Sequence, residues 1–159
     1  MGRSNFHICR NKLHGVYLLE EEMNKYTSHS EEATKQIVRE LALEIKRGTI
    51  ALIGELGAGK TTFVQGFAQG FDIKEKILSP TFVIMRQYKI PDQNKIFYHV
   101  DLYRFDTIDK SLYLTLAEII QDYKSIVVIE WADKLAKLPL HSTVIKIKII
   151  GENKREIIV

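Results

Sequence analysis

Thr49-Ile50-Ala51-Leu52-Ile53-Gly54-Glu55-Leu56-Gly57-Ala58-Gly59-Lys60-Thr61-Thr62 passes from an apolar run into a glycine-rich turn and then into a lysine and two threonines. An apolar run of that length, bounded by glycines, reads as a strand buried on both faces. Thr62 to Gln69 is helix-forming and is stopped by Gly70. Strand, Gly-x-x-x-x-Gly-Lys-Thr and helix stand in the order of a phosphate-cradling loop. The physical requirement is that successive backbone N–H groups turn inward around a polyanion, which needs glycine where a side chain would clash. Gly57 and Gly59 meet it. A helix starting near Lys60 aims its unpaired N–H groups and positive dipole end at the same place. Lys60 is then placed to reach β- and γ-phosphates, and the Thr61 hydroxyl to ligate Mg²⁺.

Working outward, Asn24 to Thr27 reads as a short strand. Ser28 and Glu31 have capping-box spacing ahead of a helix carrying Ile37, Val38, Leu41, Ala42 and Ile45, with Gly48 as its stop. Phe82 to Ile90 and Lys95 to Asp101 read as a hairpin joined by Pro91-Asp92-Gln93-Asn94. Helical pattern fills much of Asp109 to Tyr123. Ser125 to Glu130 is a second buried strand, and Val144 to Ile150 with Arg155 to Val159 reads as a closing hairpin. The alternation predicts an α/β fold, a P-loop NTPase-like sandwich with a central, mostly parallel sheet, antiparallel hairpin strands and flanking helices.

Two acids sit at strand ends, Asp101 after Phe97-Tyr98-His99-Val100 and Glu130 after Val127-Val128-Ile129. Open α/β sheets gather their ligands at such ends. A P-loop site needs one carboxylate for Mg²⁺, held directly or through water, and often a second to orient an attacking water. His99, with no metal-ligating company in the sequence, reads as a structural or hydrogen-bonding residue. Trp131 reads as packing before it reads as a flat apolar lid.

The 159 residues, 45% hydrophobic and 27% charged, fit one ordered domain and are too few for two ordinary ones. Twenty-three basic against 20 acidic residues leave +3, too slight an excess to argue for nucleic-acid binding by itself. The single cysteine allows no intrachain disulfide, so a reducing cytoplasm is expected. No apolar run approaches the roughly 20 residues of a membrane span. Residues 1–22 read as an N-terminal extension, disordered or upstream of an internal start at Met23, and residues 23–159 as the single P-loop ATPase domain.

Taken together, Gly54 to Thr62, Ser79-Pro80-Thr81, His99-Val100-Asp101-Leu102-Tyr103-Arg104 and Ile129-Glu130-Trp131 resemble the TsaE (YjeE) family, the ATPase of bacterial tRNA threonylcarbamoyladenosine synthesis. The resemblance implies an ATPase that works with the TsaD and TsaB proteins, which modify the adenosine beside the anticodon of ANN-decoding tRNAs. It touches tRNA only through that complex. The resemblance further implies ATP and Mg²⁺ as cofactors, Gly57, Ala58, Gly59, Lys60, Thr61 and Thr62 around the phosphates, and Thr61 and Glu130 as metal ligands. Lys60, Asp101 and Glu130 would form the catalytic set, Asp101 lying near the metal and attacking water. Ser79-Pro80-Thr81 would be a loop sensitive to the γ-phosphate, Trp131 would lie beside the active site, and the adenine contacts would fall near Tyr26 to Glu32 and Gly151 to Arg155.

Three other readings compete. A small-molecule kinase shares the loop and metal site but needs an arginine-bearing lid; the candidate segment Lys89 to Lys95 has no arginine. A GTPase switch needs glycine where Arg104 stands, and Asn153-Lys154-Arg155-Glu156 only approximates a guanine reader. An ATP-dependent assembly clamp would use hydrolysis only to reset itself.

Overall fold

The computed structural model describes residues 11–13, 16–18 and 24–159. β1 (Asn11–Leu13) and β2 (Val16–Leu18) pair antiparallel with each other; the remainder of the expected extension lies outside the described residues. The body of the protein follows as β3 (Lys25–Ser28), α1 (Glu31–Glu44), β4 (Gly48–Ile53), α2 (Lys60–Gly70), β5 (Met85–Lys89), β6 (Ile96–Asp101), α3 (Lys110–Gln121), β7 (Ser125–Glu130), β8 (Thr143–Gly151) and β9 (Lys154–Ile158).

Seven strands make one sheet in the order β3-β9-β8-β4-β7-β6-β5. The four central strands β8, β4, β7 and β6 run parallel. β5 pairs antiparallel at one edge, β9 and β3 at the other. This is the expected α/β sandwich, and side-chain alternation divides its core in two. Ile50, Leu52, Ile126 and Val128 pack with Val38 of α1 and with Phe63 and Phe67 of α2. Ala51, Val100, Val127 and Ile129 face the opposite way and pack with Leu116 of α3. β7 is buried over its whole length, as a central strand covered on both faces must be.

Gly66 sets how closely α1 and α2 approach. A Cβ there would lie 2.6 Å from the Cα and 2.8 Å from the carbonyl oxygen of Lys35. Both obstacles are backbone, so the helices would have to separate. Gly66→Ala is therefore expected to cost about 1–3 kcal/mol and to lower the thermal midpoint by roughly 3–10 °C. Circular-dichroism melting checks this, and an unchanged midpoint would show that the helix pair gives way freely.

Local boundaries differ from the sequence reading in two places. Ser28 does not cap α1: it is the last residue of β3, committed to pairing with Arg155, and its Oγ accepts from the Thr34 hydroxyl at 2.7 Å. Ser30 is the N-cap, accepting from the Ala33 N–H at 3.1 Å. The strand expected from Phe82 begins only at Met85. The N–H groups of Val83 and Ile84 both donate to the Pro80 carbonyl, closing a turn, and Ile84 takes a left-handed φ of 67°, which a β-branched residue adopts only under constraint.

Candidate active site

Parallel pairing brings the carboxyl ends of β4, β6, β7 and β8 to one edge of the sheet. β4 runs there into Gly54; Asp101 ends β6 and Glu130 ends β7, directly opposite each other in register. β3, twice reversed, likewise brings its carboxyl end there at Ser28, while the oppositely directed β9 brings its start at Lys154. Between these elements lies a cleft of about 480 Å³, bounded by Ser30, Gly59, Thr61, Asp101, Trp131 and Arg155 among others, within the size range of small-molecule sites.

The loop itself is built as the sequence predicts. Gly57 and Gly59 take φ values of 77° and 97°, left-handed geometry that side chains disfavour. Gly59 is the N-cap of α2 and provides no side-chain cap, whereas Ser30 caps α1 and Asp109 caps α3. The first-turn N–H groups of Lys60, Thr61 and Thr62, which have no partner inside the helix, therefore begin α2 without a side-chain acceptor beside the cleft. Such an end attracts anions.

Lys60 is buried. Its Nζ donates to the carbonyls of Gly54 at 2.7 Å and Glu55 at 2.8 Å and lies 3.6 Å from the Trp131 ring centroid. Burial pushes the ammonium below the usual lysine range, and the carboxylates of Glu130, Asp133, Asp101 and Glu55 oppose that shift. Trp131 has a left-handed φ of 58°, turning the chain sharply after Glu130, and packs against Tyr103 with ring centroids 5.1 Å apart. The tryptophan is thus both packed and part of the cleft wall.

Thr61 and Glu130 meet: the threonine hydroxyl is 3.0 Å from Oε1 and 3.2 Å from Oε2. Asp101 is anchored separately. Its Oδ1 accepts from the Tyr103 N–H at 2.8 Å, and its Oδ2 accepts from the hydroxyls of Ser79 at 3.2 Å and Thr81. Both carboxylates are about 3–4% exposed, so they are held in place without being solvated freely. A hydroxyl and carboxylates are hard oxygen donors suited to Mg²⁺, which keeps several waters and takes few protein ligands when a polyphosphate is also bound.

Every sequence-selected residue from Gly57 to Thr62, with Asp101 and Glu130, stands at this edge. Two features were not legible. His99, two residues before Asp101 on the same strand, donates or accepts at Nε2 with Glu130 Oε1 at 2.7 Å; the period-two spacing to Asp101 was the available signal. Arg155 reaches across from β9 to the Gly57 carbonyl at 3.2 Å and also holds the carbonyls of Gly151, Glu152 and Lys154. The segment weighed as a kinase lid, Lys89 to Lys95, joins β5 to the start of β6 and so lies at the opposite end of the sheet from Gly54.

Comparison with known proteins gives a consistent result. The family model for Threonylcarbamoyl adenosine biosynthesis protein TsaE matches residues 28–157. The tRNA threonylcarbamoyladenosine biosynthesis protein TsaE of Bacillus subtilis is 38% identical over 84% of this chain and 82% of its own length. That of Synechocystis is 40% identical over 67% of this chain and 69% of its own. The crystal structure of Bacillus subtilis YdiB superposes with a TM-score of 0.69 at 31% identity, covering 86% of this chain and 84% of that one.

Proposed function

Because this chain belongs to the TsaE family of threonylcarbamoyl adenosine biosynthesis proteins, we propose that it is the Mg²⁺-dependent ATP-binding and hydrolysing component of that tRNA modification, acting with TsaD and TsaB. The observation that carries the reading is the contact of Thr61 with Glu130 at the foot of an uncapped α2, beside a buried lysine. Three requirements of nucleoside triphosphate chemistry, an anion cradle, a cation and a hard-oxygen metal site, coincide there.

In this reading the backbone N–H groups from Gly57 to Thr62 bind phosphate oxygens, and Lys60 exchanges its two loop carbonyls for the β- and γ-phosphates. Thr61 and Glu130 hold Mg²⁺, which when bound neutralises charge on those phosphates. Asp101 orients the attacking water. The hydroxyls of Ser79 and Thr81 already rest on Asp101, so a rearrangement at that carboxylate is felt in the loop that carries them. Ser30, Glu31 and Thr34, with Asn153 and Arg155, line the same cleft and supply the adenine side.

The deciding experiment is threonylcarbamoyl transfer to tRNA reconstituted with TsaD and TsaB, with and without this chain. Omission is expected to abolish multiple-turnover product while leaving no more than a single round. Equal yield in its absence would refute the proposal.

A further inference from the structure

His99 is fully buried, and its ring makes one polar contact among the described residues. Nε2 lies 2.7 Å from Glu130 Oε1, while Nδ1 has no hydrogen-bond partner. A buried polar ring is costly unless its bonds are made, and His99 stands on its face of β6 between Phe97 and Asp101, where the apolar core gives way to the acids. Phe97, two residues earlier on the same face, does pack within the apolar core. The placement of a histidine at this position is explained by what it does to Glu130.

Glu130 has two oxygens and two different neighbours. Oε1 is shared between His99 and the Thr61 hydroxyl, while Oε2 is 3.2 Å from the Thr61 hydroxyl. A carboxylate held only by Thr61 would be free to rotate about its last bond, and a rotating carboxylate ligates poorly. We propose that His99 is a positioning residue for the metal-facing carboxylate: its Nε2–H pins Glu130 Oε1, so that Oε2 and the Thr61 hydroxyl face the same Mg²⁺. His99 acts through Glu130 and does not itself meet nucleotide. The inference rests on the proposed Mg²⁺-ATP reading of the cleft.

The test compares His99→Phe, which keeps a ring but removes the donor, with His99→Gln, whose amide nitrogen replaces Nε2–H. ATP affinity is measured by calorimetry in Mg²⁺ and in EDTA. His99→Phe is expected to reduce the Mg²⁺-dependent gain in affinity by about tenfold or more, the usual effect of removing a partner of a metal ligand, with affinity in EDTA unchanged. His99→Gln is expected to restore most of that gain. A wild-type gain in His99→Phe, or a folded His99→Gln that fails to restore it, overturns the assignment. The unmutated protein offers a second readout, independent of whether the variants fold. The Nε2-bound proton resonance of His99 should shift when Mg²⁺ is added to the ATP-saturated protein, and a resonance that does not move overturns the proposal. A parent protein whose ATP binding is indifferent to Mg²⁺ overturns the metal reading itself, and His99's role with it; that outcome is distinct from the variant results.

Discussion

Lys60→Ala is expected to weaken ATP binding by roughly a hundredfold, equivalent to about 3 kcal/mol. The lysine is buried and already desolvated, so its charge-assisted bonds to phosphate would be formed without a further dehydration cost to the ammonium. Alanine also leaves the carbonyls of Gly54 and Glu55 without the donor they now share, so part of the loss reflects a looser loop. Lys60→Met removes the same charge and donors but keeps an unbranched stem, so the difference between the two variants isolates the packing contribution of the stem. Calorimetric titration checks both variants, and wild-type affinity in either would contradict the phosphate role of Lys60. The chain has one tryptophan, and Lys60 lies against its ring. Both substitutions should therefore change Trp131 emission before any nucleotide is added.

Glu130→Gln should separate binding from turnover. The amide keeps the size of the carboxylate and an oxygen that can accept from His99 Nε2, so the buried contact survives in altered form. What it removes is the negative charge that would hold Mg²⁺ against the γ-phosphate. ATP affinity in Mg²⁺ is expected to fall at least as far as in His99→Phe, by about tenfold or more, while at saturating ATP hydrolysis and multiple-turnover tRNA modification fall by about 10²- to 10³-fold. Measuring both in the reconstituted system distinguishes an ATPase from a clamp. A clamp that needs only bound ATP would go on supporting many rounds with Gln at this position, and that result would remove hydrolysis from the mechanism. Glu130 is also where the His99 inference meets the proposed chemistry, so the two sets of variants should be assayed side by side.

These expectations rest on features that differ in how far sequence reveals them. The loop from Gly54 to Thr62 was legible because its geometry is local. Left-handed backbone at Gly57 and Gly59 and a helix beginning at Lys60 depend on residues within a few positions of one another. Asp101 and Glu130 were legible at one remove, since parallel strands deliver their carboxyl ends to one edge and an acid after an apolar run marks that end. The capping of α1 was misassigned by two residues, because Ser28 and Ser30 are equivalent locally and only pairing with Arg155 of β9 draws Ser28 into the sheet.

The order of the chain therefore determined the class of fold, the phosphate loop, the two strand-end acids and, through their joint spacing, the family. Only the tertiary structure decided that His99 grips Glu130 from the neighbouring strand, that Arg155 reaches back to the Gly57 carbonyl, and that the hairpin after Lys89 lies at the opposite end from the cleft. Each of the last three depends on which strand lies beside which, in what direction and in what register. Those choices are made by the packing of the whole sheet between its helices, where residues dozens of positions apart share one face. The loop from Gly54 to Thr62 needed none of that to be recognised, but Glu130, which meets its Thr61, is held by His99 from a strand far from the loop in sequence.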